Sequence, residues 1–440
     1  MPTSTEHRGG TDQVSARDIF RLAFPALGVL SATPLYLLLD TAVVGQLGAA
    51  QQAALGAAAS IQSVVTTQLT FLSYGTTARA ARHFGAGRKD DAVAEGVQAT
   101  WVAVGVGMLL AILMWLFAGP IARALTGDEA TGNAAASWLH IAALAIPLTL
   151  IVMAGNGWMR GLQDTMRPFY FTLAGMVPGA ICVPIFVHLW GLRGSALANV
   201  VGMGIVACCF LWQLRKQHTG SWTIRPRVIG HQLVLGRDLI VRSLSFQVAF
   251  LSAMAVASRF GTLALAAHQI LLQLWNFLTL ILDSLAIAAQ TLIGAALGAG
   301  SREHARLTGR TIMVYSTIFS GGLAVVLALG NRFIPRIFTP DDGVLTTISG
   351  PWWLMVLMVV MGGVLFAFDG VLLGAGDAAY LRTITIGSVV FGFLPGVWIA
   401  YAVDGGLVGV WCGLLAFIAL RTIAVVVRFR SMKWARLNDD

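Results

Sequence analysis

Charged residues are scarce in this chain. Asp, Glu, Lys and Arg together make up 11% of its 440 residues, whereas 57% are hydrophobic. A soluble domain carries about 25% charged residues, so this composition excludes an ordinary soluble fold and indicates a polytopic membrane protein. The net charge of +9 is then interpreted through membrane topology, and we expect lipid rather than nucleic acid around the protein.

Cysteine is also rare, and the chemistry-bearing motifs are missing. The four cysteines lie in apolar segments and form no CxxC pair: Cys182, Cys208, Cys209 and Cys412. This spacing predicts neither a disulfide nor a metal site. The sequence has no GxxxxGK[ST] loop, no HExxH and no nucleophile elbow. We therefore expect no ATP site, no cofactor and no enzymatic activity.

Long apolar runs are what the sequence has in abundance. A helix needs about 20 mostly apolar residues to cross a bilayer, and twelve stretches qualify, which predicts an all-α fold. The predicted spans are 18–44, 52–78, 93–118, 134–158, 168–190, 195–214, 236–259, 262–295, 309–330, 347–373, 381–403 and 407–428. Residues 1–17 are polar and predict a disordered cytoplasmic tail. No small-residue cleavage site follows the first run, so we expect it to be retained.

The chain repeats itself at a constant offset of 213 residues. The matching pairs include Gly48 with Gly261, Gly85 with Gly298, Gly87 with Gly300, Arg123 with Arg336, Asp128 with Asp341, and Asp164 with Asp377. The repeat predicts two six-helix lobes, 18–214 and 236–428, with a basic linker at 215–235 and a tail at 429–440. Because six is even, both lobes enter the membrane in the same direction. They are then related by a pseudo-two-fold axis along the membrane normal.

The distribution of basic residues predicts the orientation. Alternating the twelve spans places most of the 29 Lys and Arg on the side that holds both termini. Cytoplasmic loops carry such an excess, so both termini are predicted to be cytoplasmic. We expect a monomeric, multi-pass protein of the plasma (inner) membrane.

The first span, residues 24–45, carries a single acid. Asp40 shares a helical face with Thr33 and Tyr36, because the three are spaced three and four apart. Pro25 and Pro34 interrupt the same span and predict bending points. An ionisable residue in a span marks an ion or substrate pathway by default, so we interpret this face as a proton or cation site. The alternative is a carboxylate hydrogen-bonded for structure alone.

Polar residues in other spans predict a shared cavity. The eighth span carries a polar face made of Gln269, Gln273, Asn276, Asp283 and Gln290. At the offset of 213 residues, the second span has Ser63, Thr70 and Thr77 at the positions of Asn276, Asp283 and Gln290. A second pair under the repeat is Asn156 with Asp369. For the polar residues of the second and eighth spans, the alternative is that they form hydrogen bonds between helices. For Asn156 and Asp369, the alternative is that they are polar groups facing lipid headgroups.

Several stretches resemble the multidrug and toxic compound extrusion (MATE) family, in its DinF-like branch. They are FPAL…PLYLLLDTAVVGQLG at 24–48, RGLQDT at 160–165, AAHQI at 266–270, LDSLAIAAQTLIGAALGAG at 282–300 and FDGVLLGAGDA at 368–378. The resemblance implies a secondary active exporter with two lobes around a central cavity, which exchanges cargo for H⁺ or Na⁺. It implies that Asp40 is the coupling residue and Pro25 the bending point. Asn199 falls where relatives carry a hydroxyl residue.

The fifth span departs from the family pattern. Relatives place Asn and Asp there, but this span has neither. Because hard cations need several oxygen ligands, we favour H⁺ over Na⁺ as the coupling ion. The leading hypothesis is H⁺-coupled antiport of amphipathic, often cationic, organic compounds. The alternatives are Na⁺-coupled antiport, a passive channel, or export of a metabolite anion or lipid-linked precursor. An Arg-rich cavity would favour an anion, but Arg is predicted almost entirely in loops.

Overall fold

A computed structural model describes residues 14–437, which form helices and connecting loops without a strand among them. The first lobe consists of α1 (Ala16–Gly45), α2 (Ala49–Gln68), α3 (Phe71–Gly85), α4 (Lys89–Thr126), α5 (Glu129–Ala142), α6 (Ala145–Gly161), α7 (Met166–Trp190) and α8 (Leu192–Gln217). The second lobe consists of α9 (Pro226–Arg259), α10 (Thr262–Gly298), α11 (Arg302–Leu329), α12 (Ile334–Phe338), α13 (Asp342–Gly374), α14 (Ala378–Ser388), a π-helical turn (Val389–Phe393), α15 (Leu394–Ala402) and α16 (Gly406–Arg430).

These helices confirm the all-α polytopic fold. Ten helical segments within the described range are long and apolar enough to cross a membrane, and α5 with α6, bent by 47°, provides an eleventh. Helices α2 and α3 together fill the place of the second predicted span. Each lobe therefore contains six spans, in the order that the repeat predicts.

Two predicted spans are not continuous helices. The span predicted at 52–78 is broken between α2 and α3, where the Thr70 hydroxyl donates to the carbonyl of Thr67 at 2.9 Å. Such a local bond competes with the helical ladder. The span predicted at 134–158 breaks between α5 and α6. Pro147 follows closely and has no N–H to bond back to the carbonyl of Ala143, which favours a new helix start there.

The predicted limits of the linker and tails also need correction. Helix α8 continues to Gln217 and α9 begins at Pro226, so the connection is 218–225 rather than 215–235. Proline is favoured in the first turn of a helix. Helix α1 already begins at Ala16, where the Ser15 side chain accepts a hydrogen bond from the Asp18 backbone. In the C-terminal tail Trp434 is buried. Residues 1–13 and 438–440 of the predicted tails lie outside the described residues.

The two lobes touch where α3 and α10 end. A Cβ added to Gly85 would clash with the backbone of Ala295, and one added to Gly298 would clash with that of Arg82. Gln290 on α10 donates to the carbonyl of Tyr74 on α3 at 2.6 Å. The glycines that the repeat pairs therefore allow two helices to approach backbone to backbone. This contact closes the space between the lobes on the side of the membrane that holds both termini.

The polar face of α10 shows that the opposite side is open. Gln269, Gln273 and Asn276 near the start of the helix are exposed, whereas Gln290 near its end is 1% exposed. The space between the lobes is therefore open on the side away from the termini.

We expect Gly85→Ala to shift this conformation. The added methyl group would have to push the α10 backbone away, and overpacking of this kind costs about 1–3 kcal/mol. Because each 1.4 kcal/mol is a factor of ten, the equilibrium between this conformation and one with α3 and α10 apart should shift about 5- to 100-fold. Distances between spin labels at the ends of α3 and α10 should lengthen. Gly56→Ala is the matched control, because a Cβ there meets nothing. Equal distances in both variants would contradict the packing role of Gly85.

Candidate functional site

Asp40 is buried in the first lobe between three helices. Its side chain is on α1, is 2% exposed, and accepts a hydrogen bond from Ser195 Oγ on α8 at 2.7 Å through Oδ2. Ser195 in turn accepts from the indole Nε1 of Trp138 on α5 at 3.1 Å. Asp40 Oδ1 has no hydrogen-bond partner within residues 14–437. The carboxyl group thus ends a short chain of hydrogen bonds.

The electrostatics of this site favour proton binding. No Lys or Arg of the described range pairs with Asp40, whose one polar partner there is Ser195. Burying a carboxylate without a countercharge is costly, and the acid escapes that cost by taking up a proton. Nor does the described chain hold any cluster of three His, Cys, Asp or Glu that could bind a metal.

The other residues predicted for the site in the first span do not all lie beside Asp40. Tyr36 is buried with Asp40, and its hydroxyl has no partner among the described residues. Thr33 is exposed and lines a different space, a cavity of about 170 Å³ within the first lobe. Pro25 and Pro34 lie inside α1, which is continuous through both of them in this conformation.

We expect Ser195→Ala to slow transport without abolishing it. The variant removes the donor that orients Asp40, and a hydrogen bond to a charged group contributes about 1.5–3 kcal/mol. At a factor of ten for each 1.4 kcal/mol, efflux should fall about 10- to 100-fold. Ser195→Thr keeps the hydroxyl and should restore most of the rate. Efflux from proteoliposomes measures this, and an unchanged rate in Ser195→Ala would show that the bond is incidental.

The cavity in the first lobe has an amide and a guanidinium group of α6 on one side. Asn156, as predicted, lines it, and Asn156 Oδ1 lacks a partner in the described structure. One helical turn further along α6, the guanidinium of Arg160 is buried and lies 3.3 Å from Ser73 Oγ. Most of the other walls are apolar, including Met153, Met176 and Met203.

A larger cleft of about 350 Å³ lies between the lobes. It is lined by four residues that the sequence predicts, Thr70, Asn276, Asp283 and Asp369, and by aromatic side chains that include Phe246, Phe250, Trp275, Phe366 and Phe417. Tyr74 on α3 donates its hydroxyl to Asp283 Oδ2 on α10 at 2.7 Å. This bond joins the two lobes at the floor of the cleft.

Asp369 is an ion-paired residue of the cleft, so the interpretation that it faces lipid headgroups is wrong. Its Oδ2 accepts from Arg242 on α9 at 2.5 Å and from Arg421 on α16 at 2.6 Å. Arg421 is 2% exposed and stacks over the ring of Phe246, 4.6 Å from its centre. One acid and two guanidinium groups therefore form a buried triad that carries a positive charge.

Three other predicted cavity residues lie elsewhere. Gln290 is buried in the contact between α3 and α10, so it joins helices rather than lining a cavity. Gln273 is exposed on α10 but is not among the residues around the cleft. Asn199 is half-buried on α8, and the hydroxyl group that contacts Asp40 comes from Ser195, one turn earlier.

The sequence analysis missed the three arginines that line the cavities. Arg160 is predicted in a loop, Arg242 is counted with the loop residues although it falls just inside the predicted span 236–259, and Arg421 is placed in the last span without a partner. Pro226 could have shown that Arg242 lies deep in a helix, because a proline in the first turn marks a helix start. Arg242 then lies about four turns into α9, well inside the membrane.

Six helical spans in each of two lobes, with a polar cleft between them, define a membrane transporter rather than an enzyme. A sequence profile of the MatE family matches residues 25–185 and 239–398, one match in each lobe. The chain belongs to the MatE family, which confirms the resemblance and the prediction that the protein is not an enzyme.

Known relatives match along nearly the whole chain. Protein DETOXIFICATION 44, chloroplastic, of Arabidopsis thaliana is 30% identical over 96% of this chain and 84% of its own length. DNA damage-inducible protein F of Escherichia coli (strain K12) is 25% identical over 94% of this chain and 92% of its own. A MOP superfamily transporter from Pyrococcus furiosus, in which a reversed polarity of the binding pocket suggests a different function, superposes with a TM-score of 0.85. It is 18% identical, and the match covers 95% of this chain and 96% of that one.

Proposed function

We propose that this protein is a secondary active exporter that exchanges an organic compound for protons by alternating access. The observation that carries the proposal is the burial of Asp40 with one hydrogen-bond donor and no countercharge. A proton that binds Asp40 in one conformation and leaves it in another changes the relative stability of the two. Such differential binding is what couples an ion to transport.

Sodium is the weaker candidate for the coupling ion. Na⁺ is a hard cation and needs several oxygen ligands. Around Asp40 the described polar groups are the hydroxyl of Ser195 and the nearby hydroxyl of Tyr36, and α7 contributes no Asn or Asp. This set supports a proton better than a coordinated metal ion.

The charge of the cleft bears on the cargo. In the cleft two acids, Asp283 and Asp369, face two guanidinium groups, from Arg242 and Arg421. Arg160 adds a third positive charge from the neighbouring cavity of the first lobe. The sequence-based preference for cations assumed that Arg lies in loops, and that assumption does not hold. We therefore propose an amphipathic cargo that carries an acidic or zwitterionic group, with its apolar part against the aromatic walls. Altered pocket polarity is also a feature of the Pyrococcus relative.

An amphipathic cation is the second candidate cargo, and Asp283 favours it. This carboxylate is only half-buried, and its one hydrogen bond within residues 14–437 comes from a neutral hydroxyl group, that of Tyr74. It is thus the acid of the cleft that is free to meet a positive charge.

Three fluorescent compounds of matched size, with a cationic, a zwitterionic and an anionic substituent, would decide between these cargoes. We expect proteoliposomes under a pH gradient to export the zwitterion and the anion fastest, and Arg242→Gln to reverse that preference. Fast export of the cation alone, lost in Asp283→Asn, would overturn the proposal in favour of the second candidate.

We further propose a monomer in the plasma (inner) membrane, lobes at 16–217 and 226–430, and bending of α1 at Pro25 or Pro34. We also propose cytoplasmic termini, which the basic excess on the side of the termini supports. Labelling a single cysteine placed at residue 220 from each side of the membrane tests the orientation. Labelling from outside intact cells would contradict it.

A further inference from the structure

A groove on the outer surface of the second lobe lies apart from the central cleft. It runs between the first turns of α11 and the last turns of α16, with α13 as its floor, and encloses about 670 Å³. The floor is apolar and consists of Met313, Val364, Phe368, Val426 and Phe429, and the rim consists of Glu303, Arg306, Leu307, Arg310 and Arg430. The groove is therefore amphipathic, with an apolar floor and a charged rim.

The rim carries unpaired positive charge. Arg306, Arg310 and Arg430 are exposed, and none forms an ion pair within residues 14–437. Glu303 is the single acid of the rim. The neighbouring Arg428 behaves differently, because it donates to Asp377 at 2.7 Å and stacks on Tyr380. Three guanidinium groups against one carboxylate leave a net charge that suits an anion.

The position of the groove along its helices places it at the edge of the bilayer. Arg310 lies eight residues after the start of α11, or about 12 Å along the axis, and Arg430 is the last residue of α16. Long arginine side chains extend toward the headgroup level. Phe368 lies six residues before the end of α13, about 9 Å along the axis, so the apolar floor lies level with the first turns of α11 that carry the arginines.

The apolar floor is built before any ligand arrives. The rings of Phe368 and Phe429 stack with centres 4.3 Å apart, and Trp434 stacks on Phe429 from the other side at 5.4 Å. The Trp434 indole donates to the carbonyl of Phe429 at 3.0 Å. On α11, Gly309 leaves room for the Phe429 ring, since a Cβ there would lie 2.8 Å from Cε2. A tail residue thus fixes the orientation of the floor.

We propose that this groove binds an anionic phospholipid from the leaflet on the side of the termini. The guanidinium groups of Arg306, Arg310 and Arg430 hold the phosphate, as arginine does at basic pockets between transmembrane helices. An acyl chain lies on Met313, Val364 and Val426, the floor residues that stay partly exposed, with the buried rings of Phe368 and Phe429 beneath them. Phe368 precedes Asp369 in the chain, and Phe429 is on the same helix as Arg421. The lipid therefore stabilises the two helices that carry the ion pair of the cleft.

The test uses the full chain in neutral detergent, with native mass spectrometry to count bound lipid. The probes are dioleoyl phosphatidylglycerol, dioleoyl phosphatidylcholine and inorganic phosphate. We expect the wild type to retain phosphatidylglycerol and release phosphatidylcholine. The Arg306→Gln/Arg310→Gln variant should bind phosphatidylglycerol at least tenfold more weakly. The matched control is Arg225→Gln/Arg227→Gln, which removes the same charge from exposed residues at the start of α9 and should bind like the wild type.

Two further measurements test whether the arginine charge and the bound lipid account for the result. The Arg306→Lys/Arg310→Lys variant keeps the charge and should keep most of the binding, and phosphatidylglycerol should raise the melting temperature of the wild type but not of the Gln variant. Equal retention of both lipids, or undiminished binding by a folded Gln variant, would overturn the proposal. Displacement of the lipid by millimolar phosphate would assign the groove to a small anion instead.

Discussion

Replacing Asp40 with Asn is expected to reduce proton-driven efflux to the rate of protein-free liposomes, while the protein still inserts and folds. Asn keeps the size of the side chain and can still accept from Ser195 Oγ, so packing around this 2% exposed position is preserved. It cannot bind or release a proton at neutral pH. Without that step, the two conformations no longer respond to the pH gradient.

The control for this variant is Asp404→Asn. Asp404 is an exposed acid in the loop before α16, and its φ of 54° is one that Asn tolerates well. It should export cargo like the wild type. Export by Asp40→Asn at the wild-type rate and with the wild-type pH dependence would show that the proton site lies elsewhere. Loss of the folded protein would be visible as a broad or early-eluting peak in gel filtration.

Asp369→Asn is expected to cause the largest loss of stability. The carboxylate pairs with two guanidinium groups, and Arg421 is 2% exposed. Removing one partner of a buried ion pair costs about 3–5 kcal/mol, whereas replacing both partners is often nearly neutral. The free energy of unfolding should fall by about this amount, and the Asp369→Asn/Arg421→Gln double variant should recover part of it.

Unfolding in increasing denaturant at fixed detergent concentration measures both effects. Asp377→Asn is the matched control, because it breaks the ion pair with Arg428, which is less buried, with both side chains 16% exposed. Its loss should be clearly smaller. A cost for Asp369→Asn no larger than for Asp377→Asn would show that the triad is hydrated and does not hold the second lobe together.

Hydropathy predicts which segments cross the membrane, but it cannot show whether each one is a single helix. The breaks between α2 and α3 and between α5 and α6 lie inside runs of suitable composition. A window average measures how apolar a segment is, and it does not detect a hydroxyl that bonds to its own backbone at Thr70 or a proline at position 147. The repeat was more informative, because it predicts the two lobes, and the paired glycines Gly85 and Gly298 lie in the contact between α3 and α10.

The site was predictable where a residue is unusual for its surroundings. Asp40 is the single acid of α1 beyond its first turn, where the helix is apolar, so sequence alone singles it out. Ser195 is 155 positions away, and buried hydroxyl groups are too common in membrane helices for any one to be chosen. Arg242 was counted with the loop residues because the start of α9 was predicted ten residues late, which put Arg242 only six residues into the predicted span 236–259. With that boundary corrected, the charge of the cleft and the preference for its cargo both change.

Proton movement during transport tests the central claim most directly. Proteoliposomes with a trapped pH-sensitive dye and no imposed gradient would be loaded with an exported compound, and the dye would report protons carried opposite to the cargo. We predict a pH change that follows cargo efflux, does not depend on Na⁺ and is absent in Asp40→Asn. Cargo efflux that requires Na⁺ and moves no protons would contradict the account.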